Sequence, residues 1–123
     1  MKNLIKAVTV GIGVVAASVV LAQPALAVNF IRDIGDGTVR YTDDTNQMCL
    51  QADNTFGTAW VEVAVSRQGG GGTPIVIRDD NVGHPGATCR VLNVPENVTY
   101  QAVYRSYWEG RGTPIRGVFY FTT

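Results

Sequence analysis

Few residues in this chain could support covalent or hydrolytic chemistry. Nucleophilic hydrolysis needs a serine, cysteine or threonine beside a base, most often histidine. The only histidine is His84, in the turn-like sequence Val82-Gly83-His84-Pro85-Gly86, and beyond residue 27 the only serines are Ser66 and Ser106. Neither serine lies in a G-x-S-x-G motif. We therefore expect that the protein is not an enzyme and has no catalytic residues.

Two pairs of adjacent carboxylates could act as the acid and nucleophile of a glycosidase or as calcium ligands. Asp43-Asp44 and Asp79-Asp80 both occur in sequence that also contains Asn or Thr. Such residues favour turns because their side chains bond to nearby backbone groups. We interpret both pairs as turns and expect no metal and no cofactor; a weak calcium site is the alternative that the sequence leaves open.

The cysteine content indicates a disulfide. Cys49 and Cys89 are the only two cysteines, so an oxidising compartment allows a single intramolecular pairing. A bridge that closes a loop of about 40 residues contributes about 4 kcal/mol in the chain-entropy model. The C-x-x-C spacing of a redox centre is absent.

One cluster has the composition of a binding site. Aromatic residues and arginine dominate binding hot spots because they bury much area and offer directional donors. They are concentrated in Tyr104-Arg105-Ser106-Tyr107-Trp108-Glu109-Gly110-Arg111. We predict that a protein or carbohydrate partner binds at Arg105, Tyr107, Trp108 and Arg111. The alternative is that these side chains pack in the core or are simply solvated.

Strands and turns must position these residues. In Ala59-Trp60-Val61-Glu62-Val63-Ala64-Val65-Ser66 the apolar residues alternate with the others, which is typical of a half-buried strand. A strand from residue 98 to about 108 and one over 117–122 flank a glycine-rich turn, which predicts a C-terminal hairpin. Shorter strands are expected at 38–41, 48–52, 75–78 and 88–92, and Gly69 to Gly72 form a flexible connection.

This pattern predicts an all-β fold of about seven strands in a small antiparallel two-sheet sandwich with one disulfide. The order Cys49, Trp60, Cys89 is that of an immunoglobulin domain. The cysteine spacing is short, however, and Ala87 occupies the position of the tyrosine-corner residue. We therefore expect a sandwich that is immunoglobulin-like in architecture only.

The N-terminal segment has the features of an export signal. A short basic start with Lys2 and Lys6 precedes an apolar run to Ala22 and the sequence Ala25-Leu26-Ala27, which a signal peptidase accepts. We predict a cleavable signal peptide at residues 1–27 and one secreted domain at 28–123, from a bacterium. That domain has 8 Arg against 10 Asp and Glu. Such a near-neutral surface argues against nucleic acid and membrane as partners.

Part of the chain is similar to a known family. The stretch Cys89-Arg90-Val91-Leu92-Asn93-Val94-Pro95-Glu96-Asn97-Val98-Thr99, with Gln51-Ala52-Asp53-Asn54, resembles the small secreted actinomycete β-sandwich proteins of the tendamistat type, which inhibit α-amylase. The family has two disulfides and a contiguous Trp-Arg-Tyr motif in an early turn. This chain can form one disulfide and lacks that triplet, so no functional residue is transferred.

Together these observations predict a secreted, extracellular and non-enzymatic binding protein. The resemblance implies an inhibitor of a secreted hydrolase such as α-amylase. The alternatives are a self-associating protein of the cell envelope or matrix, and a secreted toxin or antimicrobial.

Overall fold

The structure, a computed structural model, describes residues 29–83 and 85–123. The predicted signal peptide and His84 lie outside the described residues. Within these ranges no helix is long and apolar enough to cross a membrane. The described residues form a 3-10 helix over Asp43–Thr45 and eight strands, namely β1 Phe30–Asp33, β2 Gly37–Thr42, β3 Gln47–Ala52, β4 Ala59–Arg67, β5 Ile75–Asp80, β6 Thr88–Val91, β7 Thr99–Trp108 and β8 Ile115–Thr122.

The strands form two antiparallel sheets of four strands each. The first sheet has the order β1-β2-β3-β6 and the second the order β5-β4-β7-β8. All strand neighbours are antiparallel. The predicted all-β, two-sheet architecture is confirmed, with one strand more than the seven expected: β1 was not predicted.

Period-two alternation builds the core. In β4, Ala59, Val61, Val63 and Val65 are buried, and the residues between them are only half-buried. The inner faces of both sheets contribute to one apolar cluster, in which Val39, Tyr41, Met48 and Leu50 of the first sheet meet Val61, Val63, Ile77, Tyr100, Ala102, Phe119 and Phe121 of the second. The core therefore fills the space between two sheets, as a sandwich requires.

The disulfide joins two neighbouring strands of one sheet. Cys49 in β3 lies directly opposite Cys89 in β6, with 4.0 Å between their Cα atoms. Because Met48 and Leu50 point into the core, Cys49 points away from it. The pairing is as predicted, but the bridge does not span the two sheets as it does in immunoglobulin domains. A disulfide in a small all-β domain is compatible with an extracellular location.

Connections at the two ends of the sandwich differ in their contacts. Residues 68–74 link β4 to β5, and the four glycines Gly69 to Gly72 all have positive φ. Three segments contact one another at the opposite end of the sandwich, namely 34–36, 53–58 and 109–114. We call these three segments the loop end. The Asp53 amide donates to the Asp36 carbonyl at 2.9 Å, and the Glu109 amide donates to the Thr58 carbonyl at 2.9 Å.

Candidate functional site

The outer face of the second sheet presents arginines, aromatics and aliphatic side chains in rows. The register places Trp60 between Asp80 and Tyr107. The next row contains Arg78, Glu62, Arg105 and Arg116, and the row after it Val76, Ala64, Val103 and Val118. We call this surface the arginine–aromatic face; it consists of Trp60, Asp80, Tyr107, Tyr120 and these two rows.

Trp60 is held between its neighbours on the adjacent strands. Its ring stacks on that of Tyr107, with 5.7 Å between centroids and 16° between planes. The Arg78 guanidinium carbon lies 4.1 Å from the indole centroid, and that of Arg105 lies 5.5 Å from it. A cation over an aromatic face is attracted by the ring quadrupole. The cluster is therefore ordered although it faces solvent.

One carboxylate serves both arginines. Nη2 and Nε of Arg105 donate to Oε1 of Glu62 at 2.8 and 3.2 Å, and Nη1 of Arg78 lies 3.7 Å from Oε2. Both arginine side chains are nearly half exposed, so each pair contributes at most about 1 kcal/mol to stability. Because Glu62 neutralises only one of the two guanidiniums, the cluster keeps an excess positive charge.

Exposed apolar side chains extend the face beyond this cluster. Val76 is 47% exposed, Val118 is 52% exposed and Tyr120 is 54% exposed. Arg116, opposite Arg105, has no side-chain hydrogen bond or ion pair with any described residue. Aliphatic, aromatic and cationic groups therefore share the outer surface of one four-stranded sheet.

The structure separates the four residues predicted to bind a partner. Arg105 and Tyr107 lie on the arginine–aromatic face. Trp108 instead donates its indole N–H to the Phe56 carbonyl at 2.9 Å. Partner binding by all four stays a prediction, but the contacts of Trp108 give it a role in positioning a loop.

Arg111 likewise contacts its own chain. Its guanidinium forms a two-pronged ion pair with Asp36, in which Nη1 donates to Oδ1 at 2.9 Å and Nη2 contacts Oδ2, and Nε donates to the Thr113 carbonyl at 2.9 Å. The hydrogen bond from Arg111 lowers the pKa of Asp36, although burial acts in the opposite direction. This pair ties the β7–β8 turn to the β1–β2 turn.

The other side chains considered as catalysts or metal ligands make structural contacts. Asp79 and Asp80 end strand β5 rather than forming the predicted turn. Asp79 is buried and accepts from the Ala52 amide at 2.8 Å and the Thr88 hydroxyl at 2.6 Å. Ser106 is also buried and accepts from the Asp36 amide at 3.3 Å. Among the residues that the structure describes, no group of three or more His, Cys, Asp or Glu could hold a metal ion.

Sequence reasoning missed Trp60 and Arg78 as members of the site. A signal for Trp60 was present, because it shares the outward side of β4 with Glu62. A large aromatic on the polar side of an alternating strand indicates an exposed contact surface. Arg78 carried no such signal, since its place beside Trp60 depends on the register of β5 against β4.

Comparison with protein-family models, curated proteins and solved structures finds no significant match. The resemblance to the α-amylase inhibitors therefore stays a prediction. The function has to be argued from the geometry and chemistry of the arginine–aromatic face.

Proposed function

We propose that this protein is an exported, non-enzymatic binding protein and that a protein partner docks on the arginine–aromatic face. The observation that carries the proposal is the cluster in which Trp60 stacks on Tyr107 and lies under Arg78 on the solvent side of the sheet. Tryptophan, tyrosine and arginine are the residues most enriched in hot spots. Here they are already ordered in the free protein, which lowers the entropy cost of binding.

A protein partner fits this face better than a carbohydrate. At the centre of the cluster, a sugar would need a free face of the Trp60 ring on which to stack. Arg78 approaches Trp60 from β5, and Tyr107 stacks on it from β7, the strand on the other side of β4. Side chains from both neighbouring strands therefore already contact the indole, and a sugar would have to displace one of them to stack on it.

Charge and polarity define the partner surface further. The face holds three guanidiniums, those of Arg78, Arg105 and Arg116, against the carboxylates of Glu62 and Asp80. Val76 and Val118 add exposed apolar area. The complementary surface is therefore acidic and carries apolar groups that match the row from Val76 to Val118. Association should be faster at low salt, because steering between opposite charges is screened by ions.

The disulfide supports the exported part of the proposal. The bridge between Cys49 and Cys89 requires an oxidising compartment to persist, and the predicted signal peptide provides the route. Removal of the segment with Lys2 and Lys6 leaves arginine as the only permanently cationic residue type in the domain.

The experiment is capture followed by quantitative binding. Residues 28–123 in the oxidised form, which include the whole sandwich, are immobilised and exposed to the medium and envelope proteins of the producing organism. The test variant is Arg105→Ala, Arg116→Ala. The matched control is Arg40→Ala, Arg67→Ala, which removes two exposed arginines that lie off the face.

Each captured protein is then identified, purified and titrated by calorimetry. We expect a partner whose Kd rises at least about tenfold with the test variant, equal to about 1.4 kcal/mol, and changes little with the control. An identified partner that binds both variants as tightly as the wild type would contradict docking on this face.

A further inference from the structure

A second surface of the molecule carries a single protruding apolar residue. The loop over residues 53–58 crosses from β3 of the first sheet to β4 of the second, and it displays Phe56 with 99% of its surface exposed. One exposed apolar side chain is ordinary in a protein. What distinguishes Phe56 is the support given to the backbone that displays it.

Side chains from other segments fix the carbonyl groups of this loop. The Trp108 indole donates to the Phe56 carbonyl at 2.9 Å. The side-chain amide of Asn81 donates to the carbonyls of Asp53 and Gly57, both at 3.0 Å. Three carbonyl groups of the loop therefore accept hydrogen bonds from residues distant in sequence, while its phenyl ring is exposed.

Glu109 completes the support. Its carboxylate accepts from the Thr58 amide at 2.7 Å, and its own amide donates to the Thr58 carbonyl at 2.9 Å. At Gly57, where φ is +94°, an added Cβ would lie 2.9 Å from the Glu109 side chain, so this close approach needs glycine. A loop ordered in advance in this way binds with less loss of entropy.

The charges at the loop end are opposite to those of the arginine–aromatic face. Asp33, Asp36, Asp53 and Glu109 lie in or beside the loop end, and Arg111 is the cation that pairs with Asp36. Burial, with the neighbouring negative charges of Asp33 and Asp36, raises the pKa of Asp53. An approaching cation would relieve this repulsion.

We infer that the loop end of one copy, led by Phe56, docks on the arginine–aromatic face of a second copy. This inference rests on the proposed function of that face as a protein-binding surface and names its occupant. Phe56 supplies an apolar group for the row from Val76 to Val118, and the carboxylates around it oppose Arg105 and Arg116. Face-to-face pairing is disfavoured because it would bring like charges together.

The geometry of this contact predicts open chains. The donor surface and the acceptor surface are different parts of the molecule, so each copy can bind a neighbour at both. A face four strands wide and four residue rows deep covers about 500 Å² at the usual strand spacing and rise. This is less than the roughly 800 Å² per partner of a standard interface. The chains should therefore grow only at high protein concentration and shorten in high salt.

Sedimentation velocity of residues 28–123 tests the inference with single and mixed variants. Phe56→Ser removes the donor group and Arg116→Glu reverses a charge on the acceptor. The matched controls lie on the first sheet: Ile31→Ser replaces another exposed apolar residue, and Arg40→Glu makes the same charge reversal. Circular dichroism and thermal unfolding confirm that each variant is folded.

We expect the mean mass of the wild type and both controls to rise at least about twofold between about 10 µM and 1 mM, the range of weak association. Each test variant alone should stay monomeric. An equal mixture of the two test variants should form one-to-one dimers and nothing larger, because the intact face of one accepts the intact loop end of the other.

Three results would overturn the inference. The first is a wild type that stays monomeric. The proposed function would then still be tested by the capture experiment, with a partner other than a second copy. The second is association that survives Phe56→Ser but not Arg116→Glu, which keeps the face and removes the loop end as its occupant. The third is a mixture of test variants that remains monomeric.

Discussion

Removal of the disulfide should lower stability by a predictable amount. The perturbation is the double variant Cys49→Ala, Cys89→Ala. The bridge links β3 to β6, and β6 is a four-residue strand at the edge of the first sheet. Cys89 is exposed and Cys49 is half-buried on the outer side of that sheet. Alanine at these positions therefore opens no cavity in the core, and the effect reports the loss of the cross-link.

The magnitude follows from the length of the closed loop. The two cysteines are 40 residues apart, which gives a loss of about 13 cal/mol/K in unfolded-chain entropy, or about 4 kcal/mol at 25 °C. The entropy of unfolding of a domain of about 95 residues is about 0.2 kcal/mol/K near its midpoint. A loss of about 4 kcal/mol should therefore lower the Tm by about 20 °C. The expected loss of about 4 kcal/mol is a large part of the roughly 5–15 kcal/mol that stabilises a domain.

The assay is urea and thermal unfolding of residues 28–123, monitored by circular dichroism. Wild type reduced by dithiothreitol is the control, since it removes the same cross-link without a substitution. Both forms should lose about the same free energy of unfolding. A loss below about 1 kcal/mol in both would refute the chain-entropy account, and a large loss in the variant alone would show that packing of the cysteines is responsible.

Three further predictions concern pH, steric fit and the loop over residues 53–58. Because Arg111 lowers the pKa of Asp36, the ionised carboxylate stabilises the fold above the unfolded-state pKa of about 3.9, and this contribution is lost as pH falls through the lower folded-state pKa. Asp36→Asn should thus lower Tm at pH 7 and flatten its decline in acid; parallel Tm curves would contradict this. Gly117→Val should cost about 1–3 kcal/mol because a Cβ would clash with the ring of Tyr104, and urea unfolding should show a smaller cost in a Tyr104→Ala background; equal costs would exclude the clash. Trp108→Phe should leave Tm nearly unchanged but remove about 1 kcal/mol of loop stabilisation with the hydrogen bond to Phe56, seen as faster amide exchange over residues 53–58; unchanged exchange would show that the indole does not brace the loop.

Local pattern was enough to predict the fold class. The alternation in β4 fixed which side of that strand faces the core, and Val61, Val63 and Val65 are all buried as a result. The C-terminal hairpin followed from the glycine-rich turn between β7 and β8. Strand β1 was missed because it is only four residues long and three of its four residues are exposed, so it lacks the alternation by which the others were recognised.

The candidate site depended on information that the sequence does not display. The pairing of Arg111 with Asp36 joins residues 75 positions apart, and nothing near either residue indicates the other. The same is true of Trp108 and the Phe56 carbonyl, 52 positions apart. Arg105 and Tyr107 were recognised by residue type, whereas Trp60 and Arg78 join them only through the register of three strands.

The two tryptophans allow docking on the arginine–aromatic face to be detected directly. Trp60 lies on the arginine–aromatic face, and Trp108 supports the loop end. With ¹⁵N-labelled tryptophan, the domain should give two indole N–H signals in an NMR spectrum, assigned by Trp60→Phe and Trp108→Phe. Titration with the partner identified by capture should shift the Trp60 signal as the complex saturates. A saturated complex in which the Trp60 signal does not move would contradict docking on this face.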